Sequence, residues 1–356
     1  YMSLRKNVYI GNCITNLIDF WLIENDKLVY KKIPYNEGFF KLIDEIISNS
    51  VDENIKTNGK FSKNIGVEFN SDRFITVTDD GRGIPFQKDK ETGEYQIKLA
   101  FCDIHTGSNW ERDLSIGMNG IGASAVNYLS SHFEVLSCDG KWLAHLICKN
   151  RCETITLNSK KHNIQGTKVK FKIDESEFEG ISEVSNDIIE SLLYKRLVEL
   201  KTAYPKINFT FNSQPITKKI TDYIDFDGQI IEKKNVAVGI YYNYNGDVDD
   251  ISYVNGLCTF RGGSHLKYFK NYFIDYVKEK VSKKYKDIQI KNSQITNKFI
   301  FYVSFNSFEK SEFDNQNKTR LENKEEEIKK HFEQSSLSID QTCKYFYDLF
   351  EDKIDD

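Results

Sequence analysis

Between residues 36 and 56 the chain carries Leu42, Ile43, Ile46 and Ile47 at helical spacing, and the same stretch sets Glu45 and Asn49 four residues apart. The apolar spacing predicts a helix with one buried stripe, ended by Asn58-Gly59. Residues i and i+4 share a face, so Glu45 and Asn49 point the same way, with Asp52 and Glu53 near them. A fold built on this helix must cover its apolar side and leave a carboxylate and a carboxamide together at an edge. That pair suits nucleotide hydrolysis, because the carboxylate can orient and deprotonate water while the amide oxygen holds Mg²⁺. A plain amphipathic helix with a polar outer face has the same pattern.

Two further segments extend the reading. Asp79-Asp80-Gly81-Arg82-Gly83-Ile84-Pro85 follows directly on a predicted strand. Its glycines let the backbone turn sharply beside a ligand, and a carboxylate at a strand end can accept from an exocyclic amine such as that of adenine. An ordinary Asp-Gly turn fits equally well. Gly117-Met118-Asn119-Gly120-Ile121-Gly122-Ala123-Ser124 opens a predicted helix, where exposed N–H groups and the helix N-terminus favour phosphate. The chain has no GxxxxGK[ST] run and no dinucleotide-binding βαβ fingerprint, so this is neither usual phosphate loop.

The remaining pattern alternates strands and helices. Strands are predicted at 65–69, 74–78, 132–138, 142–148, 152–157, 167–173, 207–211 and 215–216, with helices at 121–130 and 185–203. After about residue 220 the pattern restarts: strands near 235–243, 250–255 and 298–305, a helix near 264–285, a polar loop at 306–320 and a charged helical end. This places a first domain at 1–220 and a second at 221–356. With 39% apolar residues and four prolines in 356 residues, there is material for two cores.

A net charge of −4 excludes a chain that coats nucleic acid as a whole, so any DNA contact must be local. The stretch 278–298, with Lys278, Lys280, Lys283, Lys284, Lys286, Lys291 and Lys298, is the candidate, and a solvated helix face is its plainer reading. Seven dispersed cysteines contain no CxxC pair; Cys148 and Cys152 stand four apart, with no second pair of metal-ligand spacing nearby. They read as reduced thiols, and no signal peptide or membrane-spanning apolar run is evident. The expectation is a protein that is not secreted: cytoplasmic, in a bacterial or phage-infected cell, or else nucleoid or nuclear.

Taken together, the three motifs resemble in order and spacing the Bergerat-fold ATPases, the superfamily of gyrase, the heat-shock chaperone, histidine kinases and the MutL repair protein. Asp44-Glu45 with Asn49 to Glu53, then Asp80-Gly81-Arg82-Gly83-Ile84-Pro85, looks like type IIA DNA topoisomerase. Four further stretches resemble that family: Arg5 to Gly11, with Lys6-Asn7 in place of Pro-Gly; Thr106-Gly107-Ser108-Asn109-Trp110; Gly166-Thr167; and Val254-Asn255-Gly256 with Gly262-Gly263-Ser264-His265. Gln316-Asn317-Lys318 resembles the QTK loop, with Asn317 in place of Thr.

The resemblance implies an α/β (α+β) chain: a Bergerat-fold GHKL ATPase domain, a mixed sheet with helices on one face, then a ribosomal-protein-like α/β transducer with a left-handed crossover. It implies ATP and Mg²⁺ as cofactors, with Glu45 as general base and Asn49 as Mg²⁺ ligand. Asp79 receives the adenine amine, Gly83 and Ile84 line its pocket, and Thr167 supports a water there; Asp52 and Arg82 belong to the same nucleotide-binding set. Ser108 and Asn109 meet ribose or α-phosphate, while Gly117, Asn119, Gly120, Ile121 and Gly122 cradle the phosphates. Gln316 and Lys318 stabilise charge on the γ-phosphate. Implied partners are a second copy on ATP binding, double-stranded DNA, and a DNA-cleavage region or subunit, since no EGDSA-type segment or cleaving tyrosine domain is found; the chain is expected to be a fragment or an ATPase-only subunit. A nucleotide-gated module without strand passage and a MutL-type repair ATPase are the alternatives, with Gly262 to His265 against the second. A histidine kinase fits least, as no phospho-accepting His helix precedes the motifs.

Overall fold

Asn25 and Asp26 turn the chain back on itself: with φ of 48° and 65° they close a two-residue hairpin between β1 (Asn16–Glu24) and β2 (Lys27–Tyr35). Two positive φ values give the turn whose twist matches that of the flanking strands. The sequence analysis assigns no element here, because Phe20 to Ile23 is a continuous apolar run rather than an alternation. The computed structural model describes residues 6, 7, 9–103, 122–244, 246, 248–286, 289–314 and 317–355.

Helix α1 (Glu37–Lys56) begins at Asn36, a buried cap whose Oδ1 accepts from Phe39 N at 3.1 Å while its Nδ2 donates to Cys13 O at 3.0 Å. Such a cap is worth about 1 kcal/mol. The helix buries Phe39, Leu42, Ile43, Ile46, Ile47 and Val51, and stops before Asn58 and Gly59, at φ 50° and 74°. There follow β3 (Asn64–Phe69), β4 (Ile75–Asp79), α2 (Gln96–Cys102), α3 (Gly122–Tyr128), β5 (Ser130–Asp139), β6 (Trp142–Lys149), β7 (Thr154–Lys161), β8 (Gln165–Ile173), α4 (Asn186–Ala203), β9 (Asn208–Phe211) and β10 (Gln214–Pro215).

These strands form one sheet in the order β10-β9-β3-β4-β8-β5-β6-β7, mixed because β3 runs parallel to β9 while the other neighbours are antiparallel. Helix α1 packs on β3, β4 and α3, and α4 packs on β9. Asp44 of α1 meets Arg196 Nε of α4 at 2.6 Å; burial opposes its ionisation, but the Arg196 and Lys41 charges hold its carboxyl below the usual range.

The chain divides into two compact units, residues 1–18 with 32–218, and residues 19–31 with 219–356. The hairpin tip, which the sequence reading keeps in the first domain, therefore clusters with the second unit. There Phe20 lies edge-on to Phe260 at 5.4 Å, Trp21 lies 5.6 Å from Phe226, and Trp21 Nε1 donates to Asp249 O at 2.9 Å.

The second unit continues with β11 (Gly228–Lys233), β12 (Val236–Tyr242), β13 (Ile251–Val254), β14 (Leu257–Cys258), α5 (Ser264–Lys284), α6 (Asn292–Thr296), β15 (Phe299–Phe305), α7 (Glu325–Gln334) and α8 (Ile339–Asp355). Its sheet runs β11-β12-β15-β13-β14, with β13 parallel to β15 and α5 in the connection between them. Phe269, Phe273 and Val277 of α5 share a core with Phe301 and Val303 of β15 and with Phe346 and Phe350 of α8. In the basic stretch, Lys283 pairs with Glu279, Lys284 meets Glu351 at 3.0 Å, and Lys298 donates to the Lys353 carbonyl at 2.8 Å. Part of its charge is thus already matched. No helix among the described residues is long and apolar enough to cross a membrane.

Candidate active site

The register of three neighbouring strands builds the centre of the site. Asp79, the last residue of β4, pairs with Thr167 of β8, and Thr167 pairs with Ser137 of β5. Opposed residues share a face, so the three make a row across the sheet, with the Ser137 and Thr167 hydroxyls 3.3 Å apart. Asp79 is held at both oxygens: Ser50 Oγ of α1 donates to Oδ2 at 2.7 Å, and Gly81 N donates to Oδ1 at 2.9 Å. Burial raises its pKa above the usual carboxylate value, and these two hydrogen bonds hold the rise back. A buried carboxylate with two bonds accepted still has lone pairs to offer. Asp80 is used differently, since Asn64 donates to it through N–H at 2.9 Å and through Nδ2 at 2.5 Å. Of the two adjacent aspartates, one anchors the loop and the other keeps acceptor capacity.

The loop after Asp79 is fixed to β5. Ile84 N donates to Ser137 Oγ at 2.8 Å, and Phe86 N donates to Asp139 Oδ2 at 3.1 Å. Gly83 sits at φ 71°, and a Cβ there would overlap the Cys138 carbonyl oxygen, so only glycine lets the two backbones approach. Arg82 directs its guanidinium at Glu53 of α1, with Nε to Oε1 at 2.7 Å and its second nitrogen to Oε2 at 3.0 Å. Arg82, assigned to the nucleotide set by resemblance, thus ties the loop to the helix in this structure.

Toward the other end of α1, Glu45 lies five residues before Ser50, roughly 7.5 Å along the axis at 1.5 Å per residue. Its carboxylate faces the backbone of Gly122, the first residue of α3, where a Cβ would overlap Oε2. Lys41, one turn earlier, reaches Glu45 Oε1 at 2.7 Å and orients it. Asn49 is exposed one turn further along, and Asp52 is half-buried. Ser108, Asn109, Gly117, Asn119, Gly120, Ile121 and Gln316 lie outside the described residues.

Within the second unit, Arg261 N donates to Thr319 O at 3.1 Å and Ser264 N donates to Leu321 O at 2.9 Å, so the turn at Gly262-Gly263 backs the segment carrying Lys318. Lys318 is half-buried, at φ 57°. Asn317 Oδ1 is buried and has no hydrogen-bond partner among the described residues. His265 is fully buried; burial lowers its pKa to about 3, so it is neutral, with Nε2 3.4 Å from Thr259 Oγ1.

Sequence reasoning missed Ser50, Ser137 and Lys41. Ser50 lies on the motif helix at a position that only the facing strand makes functional, whereas Lys41 stands four residues before Glu45 on the same helix, a spacing the sequence does display. Ser137 is one of three serines in β5, and its one signal is that a small polar residue follows Phe133 and Val135 where the alternation calls for burial.

Known proteins show the same likeness. The DNA gyrase B family model matches residues 205–336. The DNA topoisomerase 2 of Pisum sativum is 26% identical over 345 residues, which is 90% of this chain and 23% of that protein. The DNA topoisomerase large subunit of Enterobacteria phage T4 is 28% identical over 348 residues, 95% of this chain and 66% of the phage protein. The ATPase and transducer domains of DNA topoisomerase II from Balamuthia mandrillaris share the fold, with a TM-score of 0.76 at 19% identity, over 99% of this chain and 96% of that one. Over nearly its whole length the chain is similar to type IIA DNA topoisomerases. It spans 23% of the plant relative's length and 66% of the phage relative's. Lys6-Asn7 and Asn317 are where the sequence departs from the pattern it otherwise resembles; Lys6 Nζ meets Glu177 Oε2 at 2.9 Å.

Proposed function

We propose that this chain is the ATP-binding and ATP-hydrolysing portion of a type IIA topoisomerase and works as a nucleotide-operated clamp. The observation that carries the reading is a single helix: α1 holds the buried Asp79 through Ser50 and sets Glu45 against the first residue of α3. One rigid element thereby fixes both an amine acceptor and a carboxylate beside a helix N-terminal backbone.

In this reading the adenine amine donates to Asp79, Thr167 and Ser137 support a water beside it, and Gly83 and Ile84 line the ring, with Asp52 and Arg82 bordering the pocket. Ser108 and Asn109 meet ribose or α-phosphate. Gly117, Asn119, Gly120, Ile121 and Gly122 hold the phosphates by their N–H groups. Glu45 takes the proton of the attacking water, and Gln316 and Lys318 stabilise charge that develops on the γ-phosphate. Asn49 is exposed one turn from Glu45 and offers the kind of oxygen Mg²⁺ takes. That ion, when bound, neutralises phosphate charge. ATP closes two copies around double-stranded DNA, hydrolysis reopens them, and a DNA-cleavage region or subunit completes strand passage. The 278–298 stretch is the proposed DNA contact, which would be salt-sensitive because it rests on phosphates.

Glu45→Gln tests the reading. It should retain ATP binding and dimerise in sedimentation with a non-hydrolysable ATP analogue, while turnover falls roughly 10²–10⁴-fold. Turnover within about tenfold of wild type removes Glu45 as the base. A protein that stays monomeric at saturating analogue sinks the clamp.

A further inference from the structure

Cys102, Cys148 and Cys152 come from two separated parts of the chain and meet beside the sheet of the first unit. Cys102 ends α2, which packs on β6. Cys148 lies within β6, and the turn that follows brings Cys152 back to it: Asn150, Arg151 and Cys152 have φ of 52°, 58° and 67°. The three Sγ atoms all lie within 4.8 Å of one another, and those of Cys102 and Cys148 are 3.5 Å apart. Tetrahedral zinc–thiolate bonds of about 2.3 Å set the sulphurs about 3.8 Å from each other, so the cluster is already near the spacing an ion needs.

Its surroundings have the features of a ligand shell. Cys148 is buried, while Cys102 and Cys152 are half-buried, which leaves a way in. Asn127 of α3 is 1% exposed, donates through Nδ2 to Phe101 O at 2.8 Å, and approaches Cys102 Sγ at 3.6 Å. It is thus placed to orient the Cys102 sulphur, as outer-shell donors orient metal ligands. Its Oδ1 is buried and has no hydrogen-bond partner among the described residues. Among those residues no His, Asp or Glu joins the three sulphurs as a fourth ligand. Soft thiolates in this number select a thiophilic closed-shell ion over Mg²⁺ or Ca²⁺.

We infer that Cys102, Cys148 and Cys152 form a three-thiolate site for Zn²⁺, or an ion of the same soft chemistry, with no fourth ligand drawn from the described residues. The ion fastens the end of α2 to the β6–β7 turn. Neither the nucleotide chemistry nor the pairing of Cys148 with Cys152 alone calls for such a site.

The test uses the full chain, reduced, stripped with a chelator, loaded with Zn²⁺ and desalted. About one zinc per chain should remain, and Co²⁺ in its place should give sulphur-to-cobalt charge-transfer absorption. Cys102→Ser and Cys152→Ser should each weaken zinc binding by more than about 100-fold, and Asn127→Ala by about 10- to 100-fold. Cys343→Ser, in the second unit, should change nothing. If a ligand variant does not fold, the wild-type cobalt spectrum still counts the sulphurs, and fewer than three overturns the site. Absence of retained zinc in folded, reduced wild type overturns it, as does zinc retained equally by both ligand variants. A Cys102–Cys148 disulfide in a chain that binds no zinc when reduced also overturns it.

Discussion

Replacing Asp79 by Asn separates the folding role of this side chain from its proposed binding role. The carboxylate accepts from Gly81 N at 2.9 Å and from Ser50 Oγ at 2.7 Å. An amide can keep both partners, because its oxygen still accepts from Gly81 and its NH₂ can donate to the Ser50 hydroxyl once that hydroxyl turns round. Stability should therefore change little. The loss falls on a ligand amine, which would meet a donor where it had met an acceptor. One unpaired donor in a buried pocket costs roughly 1–3 kcal/mol, or about 10- to 100-fold in affinity. Burial has raised the wild-type pKa of Asp79, so acid should act in the same direction. Wild-type affinity should fall as pH drops through that raised value, while Asp79→Asn stays flat. Calorimetric titration with ADP across a pH series, beside thermal melting, measures both effects. Unchanged ADP affinity in a variant that melts like wild type would refute the adenine assignment.

The other expectations are briefer. Gly83→Ala places a side chain at φ 71° against the Cys138 carbonyl, so melting should show a loss of at least about 1–2 kcal/mol and ADP should bind more weakly. Lys318→Ala should leave ADP affinity nearly unchanged and slow ATP hydrolysis at least about tenfold in a steady-state assay; equal loss of both would contradict a role confined to the γ-phosphate. His265 binds its proton near pH 6.5 when unfolded and only near pH 3 when folded, so its contribution is complete above the first value and is lost as pH falls between them. At 1.36 kcal/mol per unit this amounts to about 2 kcal/mol at pH 5, and denaturant unfolding of His265→Gln should lack that slope. His331, whose pKa burial also lowers, adds in the same sense.

What could be read ahead of the structure was what local spacing controls. The α1 stripe, its stop at Asn58-Gly59 and the strand leading into Asp79 are decided within a few residues, and they lie where expected. The hairpin at 16–35 was lost because Phe20 to Ile23 does not alternate, although Asn25-Asp26 was a usable turn signal. Ser137 joins the site only through the register of β5 on β8, and no window around residue 137 encodes that register. The meeting of Cys102 with Cys148 likewise depends on α2 packing against β6. Arg82 was legible as part of a motif, but its pairing with Glu53 required knowing how the loop faces the helix.

The hairpin tip carries a consequence for anyone who divides this chain. Residues 19–31 cluster with residues 219–356, so the polypeptide crosses the seam at 18/19, at 31/32 and at 218/219. Phe20, Trp21 and Leu22 are only 8%, 8% and 1% exposed, and Phe20 and Trp21 rest on Phe260, Phe226 and the Asp249 carbonyl. A stop codon after residue 218 would strand those rings in water as a sticky apolar edge on an otherwise finished first unit. The complementary piece, started at 219, would have an unfilled socket. The halves are interleaved in sequence, and a clean excision has to remove the tip along with the C-terminal unit, bridging residue 18 to residue 32 with a short polar turn.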